Sequence, residues 1–184
     1  MPIITDADTV FVSLDGLKHT HNSIRGNSFD RIISNITNSS HEKLIINYTI
    51  NKKNENEIEQ FCDEISKIEK IRGIFFYFYT PYFGIDDLYL HSDEIKNIIR
   101  RILILKKRGY RILNSKAALK GVYNGSWKRP NKLSYLYADN KLYQCCRAIG
   151  NNEICKNCGY LGFTEIYYIT KLNPSAIFSA FKYL

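Results

Sequence analysis

The stretch VFVSLDGLKHTHNSIRGNSFDRIISNI, residues 10–36, decides how the rest of the chain is interpreted. Residues 10–14 are β-branched, aromatic and aliphatic and end at Asp15-Gly16, which predicts a strand followed by a loop. Residues 17–26 are predicted to continue that loop. Apolar residues then recur at the spacing of a helix with one buried face: Phe29, Ile32, Ile33 and Ile36. The stretch therefore predicts one βα unit of an α/β sheet or barrel, in which the loops after the strands carry the ligand site.

A second βα unit is predicted from a strand at residues 44–51 and a helix at residues 58–68. Asn54 is predicted to cap this helix, with Glu57 completing a capping box. One face of the strand carries a row of polar side chains: Asn47, Thr49 and Asn51. A strand inside an α/β core usually has apolar residues on both faces, so the row indicates either a ligand-lined interior or an edge strand with a solvent face.

A third unit is predicted from a strand at residues 74–79, which is apolar on both faces. Arg72-Gly73 is predicted to end the unit before it. The helix that follows is predicted to be capped by Ser92 and stopped at Gly109, because acidic residues favour its first turn and basic residues favour its last turn. A short fourth strand at residues 110–113 and a short helix at residues 115–122 are also predicted.

The predicted fold is therefore α/β, a partial (β/α) barrel of three to four βα units with a small cysteine-containing C-terminal extension. The barrel part covers residues 1–123 and the extension covers residues 124–184. Within the extension, residues 124–141 are predicted as a polar loop and a helix is predicted from Pro174 to the C-terminus. At 184 residues and 45% hydrophobic content, the chain is long enough for one domain with a core of its own.

The formal net charge of +8 is compatible with a nucleic-acid or acidic-lipid partner. The basic residues are scattered, however, and the composition favours Lys, Asn, Ile and Tyr throughout. We therefore do not expect a nucleic-acid partner. No apolar run has the length of a membrane span, and the first residues lack a signal-peptide pattern, so a cytoplasmic protein is expected.

The opening stretch resembles the middle of a radical S-adenosylmethionine (radical SAM) domain. In that family a strand ending in an "SLDG"-like sequence precedes an Arg-Gly pair and a helix that opens with Phe, and here these residues are Ser13 to Gly16, Arg25-Gly26 and Phe29. The segments TPYFGIDDLYL and KKRGYRILNS, with the final CKNCGY, are similar to branches with a C-terminal cysteine extension, the SPASM-like and hopanoid-biosynthesis-type branches. The resemblance covers roughly residues 8–108 plus that extension.

Two motifs of the family are absent from these 184 residues, namely the C-x3-C-x2-C triplet that binds the four-iron cluster and the glycine-rich motif after the second family strand. The resemblance therefore implies the C-terminal part of a radical SAM enzyme that is not catalytic alone. A missing N-terminal half of the barrel, or a partner subunit, is expected to cover the first strand. The substrate implied is a small molecule or a peptide.

The resemblance also implies which residues contact S-adenosylmethionine. Arg25 can pair bidentately with its carboxylate, and short polar side chains at strand ends can bind its carboxylate and ribose. The residues implied are Ser13, Asp15, Arg25, Asn51 and Asn54, with Thr80 as a weaker candidate. Each has a structural alternative: Asp15 as a turn former, Asn54 as a helix cap, and Arg25 as a surface ion pair. His19 and His21 are predicted to lie in a solvated loop without a catalytic role.

Four of the five cysteines lie at residues 145, 146, 155 and 158. Cys155 and Cys158 form a C-x2-C knuckle, and Cys145 or Cys146 is predicted to add a ligand, so a zinc ion or an auxiliary iron–sulfur cluster is expected. Free thiols are the alternative. Cys62 lies on a helical apolar stripe and is predicted to be a core residue.

Besides the part of a radical SAM enzyme, the sequence allows a second function: a non-catalytic metal-binding structural or interaction module derived from such a barrel.

Overall fold

A three-stranded parallel sheet organises the computed structural model, which describes residues 7–146, 148 and 150–182. The strands are β1 Val10–Ser13, β2 Leu44–Ile50 and β3 Ile71–Phe78, in the order β1-β2-β3. With the eight α-helices of the described residues, the sheet confirms the α/β class. A partial barrel with further strands stays a prediction.

Helices connect the three parallel strands. Their bounds are α1 Lys18–Arg25 and α2 Phe29–Asn38 between β1 and β2, a 3-10 turn Glu55–Glu57 and α3 Ile58–Ser66 between β2 and β3, and α4 Ser92–Lys107 after β3. The predicted capping of α4 is off by one residue, because His91 is the N-cap and forms a capping box with Glu94. Three βα units are therefore present in chain order, as predicted.

The predicted loop at residues 17–26 is wrong, since most of it is helix α1. This helix is short and polar, so its sequence carries little apolar periodicity. A tertiary contact supports its first turn instead. The Glu57 carboxylate accepts hydrogen bonds from the backbone N–H of Leu17 (2.9 Å) and from the Thr20 hydroxyl. Glu57 is therefore not part of the predicted capping box at α3.

Strand β3 begins at Ile71, so the prediction that Arg72-Gly73 ends the preceding unit is wrong. Gly73 pairs with Ile45 of β2. A Cβ at position 73 would lie 2.6 Å from the carbonyl oxygen of Arg111, and this close approach requires glycine. The segment that approaches is the predicted fourth strand. It forms a single bridge, between Ile112 and Ile74, because the chain turns into a helix directly afterwards.

The sheet has two different faces. Tyr48 and Phe76 lie on one of them, and Tyr48 packs edge-on against Phe61 of α3 with ring centroids 4.6 Å apart. The opposite face, which we call the cavity face, carries Ser13, Asn47 and Phe75, paired in register across the three strands. Since β2 is the middle strand of the described sheet, its polar row does not belong to an edge strand.

The C-terminal part adds helices and one hairpin. They are α5 Lys116–Asn124, β4 Tyr135–Ala138, β5 Lys141–Gln144, α6 Asn152–Lys156, α7 Gly162–Thr170 and α8 Pro174–Ala180. The hairpin interrupts the predicted polar loop, and α7 was not predicted from the sequence. Helix α8 begins at Pro174 as predicted. The proposed boundary between residues 123 and 124 stays a prediction.

Helix α7 and the residues before it cover part of the cavity face. Tyr160 stacks on Tyr77 of β3 with ring centroids 4.9 Å apart. Across residues 7–146, 148 and 150–182, none of the helices has the length and apolar character needed to cross a membrane.

Candidate functional site

The Asp15 side chain is the centre of a polar network at the carboxyl ends of β1 and β2. It is only 2% exposed. Its Oδ1 accepts a hydrogen bond from the backbone N–H of Thr49 (2.7 Å), and its Oδ2 forms an ion pair with Nε of Arg25. A buried carboxylate is stable only when it is paired and hydrogen-bonded, and both conditions are met here. Asp15 therefore positions Arg25 and β2, and its oxygens are already engaged by the protein.

His21 is buried beneath this network, so the prediction that it lies in a solvated loop is wrong, while His19 is exposed as predicted. The Nδ1 of His21 accepts a hydrogen bond from the backbone N–H of Asp15 (3.0 Å). Its Nε2 therefore carries the proton and donates to the Ser28 hydroxyl (3.0 Å). Burial lowers the pKa of His21, and the Asp15 charge opposes this effect only in part. The neutral ring acts as a fixed link between the β1 loop and α2.

Asn54 and Asn51 complete the network from the loop after β2. Asn54 is fully buried. Its Nδ2 donates to the carbonyl oxygens of Thr49 (3.0 Å) and Asp15 (3.3 Å), and its Oδ1 accepts from the backbone N–H of Asn51 (2.8 Å). Asn51 in turn uses its Oδ1 to accept the backbone N–H of Lys53 (2.9 Å). Both amides therefore hold the strand-end loops together, and Asn54 makes no side-chain cap of the helix that follows.

Arg25 is the member of the network that faces solvent. Its side chain is 43% exposed. Within the described residues its Nη1 and Nη2 have no hydrogen-bond partner, because only Nε is used by Asp15. A guanidinium fixed at Nε with both Nη groups free presents the two parallel donors that bind a carboxylate bidentately. The structure thus brings together four of the five predicted contact residues around one outward-facing cation.

Ser13 and Asn47 lie side by side on the cavity face, one strand apart. Ser13 is exposed. The Oδ1 atom of Asn47 is buried and accepts no hydrogen bond from the described residues. A buried acceptor without a donor is rare and is usually satisfied by a water or a ligand. Asn47 therefore offers a free hydrogen-bond acceptor on the cavity face.

Thr80 supports the C-terminal extension. Its hydroxyl accepts the backbone N–H of Gly159 (2.9 Å), and the Gly159 carbonyl accepts the backbone N–H of Phe78 (2.9 Å). A Cβ at position 159 would lie 1.9 Å from the Phe78 carbonyl oxygen, so only glycine allows this approach. The C-x2-C-G turn that ends at Gly159 is thereby docked at the carboxyl end of β3, the same edge of the sheet that carries the Asp15 network.

The cysteine segment is organised around Arg129, which the sequence did not single out. Its Nη1 donates to the sulfur of Cys158 (3.3 Å) and lies 4.0 Å from the sulfur of Cys145, and its Nη2 donates to the carbonyl oxygen of Cys155 (2.9 Å). The guanidinium also packs over the rings of Trp127 and Phe163, with its carbon 5.7 and 5.3 Å from their centroids. Arg129 therefore connects the cysteine segment with the rings of Trp127 and Phe163.

The predicted metal centre is not assembled in the described residues. In the described residues no three His, Cys, Asp or Glu side chains form a group that could hold a metal ion. A guanidinium cation instead contacts two of the four candidate sulfurs, those of Cys145 and Cys158. A centre built on Cys145, Cys146, Cys155 and Cys158 therefore stays a prediction, which metal analysis of the Cys158→Ser and Cys62→Ser proteins can test. Cys62 is a buried core residue, as predicted, and burial raises the pKa of its thiol to about 12.

Glu165 is a further buried polar residue that the sequence did not single out. It is 8% exposed, and its Oε1 accepts the backbone N–H of Ser115 (2.7 Å). Burial raises the pKa of Glu165 to about 7. Its place on a helix beside the aromatic FTEIYY run provided no signal of burial.

Comparison with known proteins finds no matching family model, no matching curated protein and no matching solved structure. The relationship to radical SAM enzymes therefore remains a prediction from the motifs of the chain itself.

Proposed function

We propose that this chain binds S-adenosylmethionine at the carboxyl ends of β1 and β2 and forms the C-terminal part of the S-adenosylmethionine pocket of a radical SAM enzyme. The observation that supports the proposal is the Arg25 guanidinium, which buried Asp15 holds by Nε while both Nη groups face solvent. Parallel α/β sheets bind their ligands at this edge.

The chemistry of the ligand matches the groups on this edge. The methionyl carboxylate pairs with the two free Nη groups of Arg25, and the pairing is favoured because Asp15 has already ordered that side chain. Ser13 and the unsatisfied Oδ1 of Asn47 lie along the adjoining sheet face and can accept hydrogen bonds from ribose hydroxyls. Asp15, Asn51 and Asn54 then act as positioning residues, because their polar atoms are engaged by the protein.

The rest of the pocket is proposed to come from the missing N-terminal half of the barrel or from a partner subunit. The reducing iron–sulfur cluster belongs to that part, since the C-x3-C-x2-C triplet is absent from these 184 residues. The described chain contributes binding and orientation only.

Saturation-transfer NMR with the full chain tests the proposal, because this method detects weak binding. The probes are S-adenosylmethionine, methionine and adenosine. Arg25→Gln is expected to weaken the binding of S-adenosylmethionine and of methionine by about tenfold or more, because it removes a charge-assisted hydrogen bond. The binding of adenosine is expected to stay unchanged. The matched control is Arg31→Gln, since Arg31 is an exposed arginine on α2.

Equal loss of methionine binding in the Arg25 and Arg31 variants would contradict the role of Arg25. Absence of S-adenosylmethionine binding by the unaltered chain would favour the alternative function, a non-catalytic metal-binding structural or interaction module.

A further inference from the structure

A cavity of about 220 Å³ lies between the cavity face of the sheet and the two C-terminal helices. Phe75 and Tyr77 of β3 form its floor. Helix α7 contributes Glu165 and Ile169, and helix α8 contributes the small side chains of Ala176 and Ala180. The space exists because α8 presents alanines where larger side chains would fill it. Apart from Glu165, these walls are apolar or aromatic.

Glu165 is the charged group of this cavity, and it is more than nine-tenths buried. Its Oε1 accepts a hydrogen bond from the backbone N–H of Ser115. No ion pair to Glu165 exists within the described part of the chain. The nearby Lys106 directs its ammonium to the carbonyl oxygen of Ile112 instead. A carboxylate in apolar surroundings is unfavourable without a cation in contact, and the charge of Lys106 opposes only part of the rise that burial causes in the pKa of Glu165.

We infer that the cavity binds a small apolar amine, with the ammonium group on the Glu165 carboxylate and the apolar body between Tyr77 and the alanines of α8. The inference does not depend on the proposed function, because Arg25 and the Asp15 network take no part in it.

The volume sets the size of the ligand. An apolar cavity of about 150 Å³ in a protein core is large enough to hold benzene. A cavity of about 220 Å³ therefore accommodates one ring with a short chain. The aromatic floor adds a favourable surface for both the ring and the cation.

The test is an NMR titration of the full chain with three probes that share a phenyl ring on a short chain and differ in their polar group: 2-phenylethylamine, 2-phenylethanol and 3-phenylpropanoate. The amine is expected to bind about tenfold or more tightly than the alcohol, because it adds a charge-assisted contact, and the anion is expected to bind weakest. Shifts are expected at the amides of Ala176 and Ala180, with nuclear Overhauser effects from the amine to the Ala176 methyl group.

Two variants separate charge from shape. Glu165→Gln keeps the acceptor for Ser115 and is expected to remove the preference for the amine while leaving alcohol binding unchanged. Ala180→Leu, or Ala180→Met if the leucine variant does not fold, is expected to fill the cavity and abolish binding of both. Arg25→Gln is expected to leave amine binding unchanged, which separates this site from the proposed one.

Three outcomes would overturn the inference: no amine binding by the unaltered chain, equal affinity for the amine and the alcohol, or amine binding that persists at full strength in the folded Ala180 variant.

Discussion

Single side chains in this protein acquire their properties from neighbours that are distant in sequence. Asp15 is fixed by Arg25 and by the backbone of Thr49, and His21 is neutral because it is buried between the backbone of Asp15 and Ser28. Glu165 is a further case, since burial raises its pKa to about 7 while Ser115 and Lys106 offset only part of the rise.

The raised pKa of Glu165 makes stability depend on pH. Below the unfolded-state pKa, both states are protonated and no penalty exists. As pH rises towards 7 the unfolded state ionises first, so the free energy of unfolding falls, and the full penalty is present above pH 7. For a pKa shift of Glu165 from 4.5 to about 7, the loss in the free energy of unfolding is on the order of 3 kcal/mol.

Glu165→Gln removes this penalty and is therefore expected to unfold at higher urea concentration than the unaltered protein at pH 8, with the difference vanishing at low pH. This difference in stability is measured by urea unfolding at a series of pH values from about 4 to about 8, the range over which the carboxyl titrates. Glu69→Gln, at an exposed position, is the control. Parallel pH profiles of the Glu165 variant and the unaltered protein would show that burial does not perturb this carboxyl.

At the scale of elements, the cysteine segment depends on one close backbone contact with β3. Gly159→Ala places a methyl group against the carbonyl of Phe78, so the segment must move away and lose the hydrogen bonds to Phe78 and Thr80. We expect a loss of about 3 kcal/mol in the free energy of unfolding. Amide exchange should become faster at Phe78 and Gly159 and stay unchanged in β1 and β2.

The comparison variant is Gly84→Ala. Gly84 also has a constrained backbone, with φ +105°, but a Cβ there would meet open space. Its expected cost is about 1 kcal/mol from backbone strain alone. If both variants cost the same, the contact at Gly159 does not hold the segment.

At the scale of the whole molecule, α7 and α8 serve as a cover for the sheet as well as part of the extension. They line the cavity over Phe75 and Tyr77, and Tyr160 stacks on Tyr77. A chain ending after Tyr123 is therefore expected to expose this aromatic surface, bind a hydrophobic dye and unfold without a cooperative transition.

The hairpin provides the control for that truncation. Three of its large side chains, those of Tyr135, Tyr137 and Leu142, are more than half exposed. Its ends meet because Cys145 N–H donates to the Ser134 carbonyl (2.6 Å). Replacing residues 135–144 by a short Gly-Ser turn should leave the urea transition unchanged. A cooperative chain of residues 1–123 would show instead that the predicted barrel part is a domain by itself.

The sequence by itself determined the α/β class, the three βα units and helices α2, α4 and α8, since these depend on the periodicity of neighbouring residues. It also placed Asp15, Arg25, Asn51 and Asn54 at one end of the sheet, because the carboxyl ends of parallel strands lie on the same edge. The tertiary structure alone decided the helical state of residues 18–25, the buried place of His21, the contact of Arg129 with the cysteines and the cavity with Glu165. The physical reason is that each of these depends on burial or hydrogen bonding between residues far apart in the chain, such as Glu57 with Leu17 or Glu165 with Ser115, and such contacts leave no periodic pattern in the sequence.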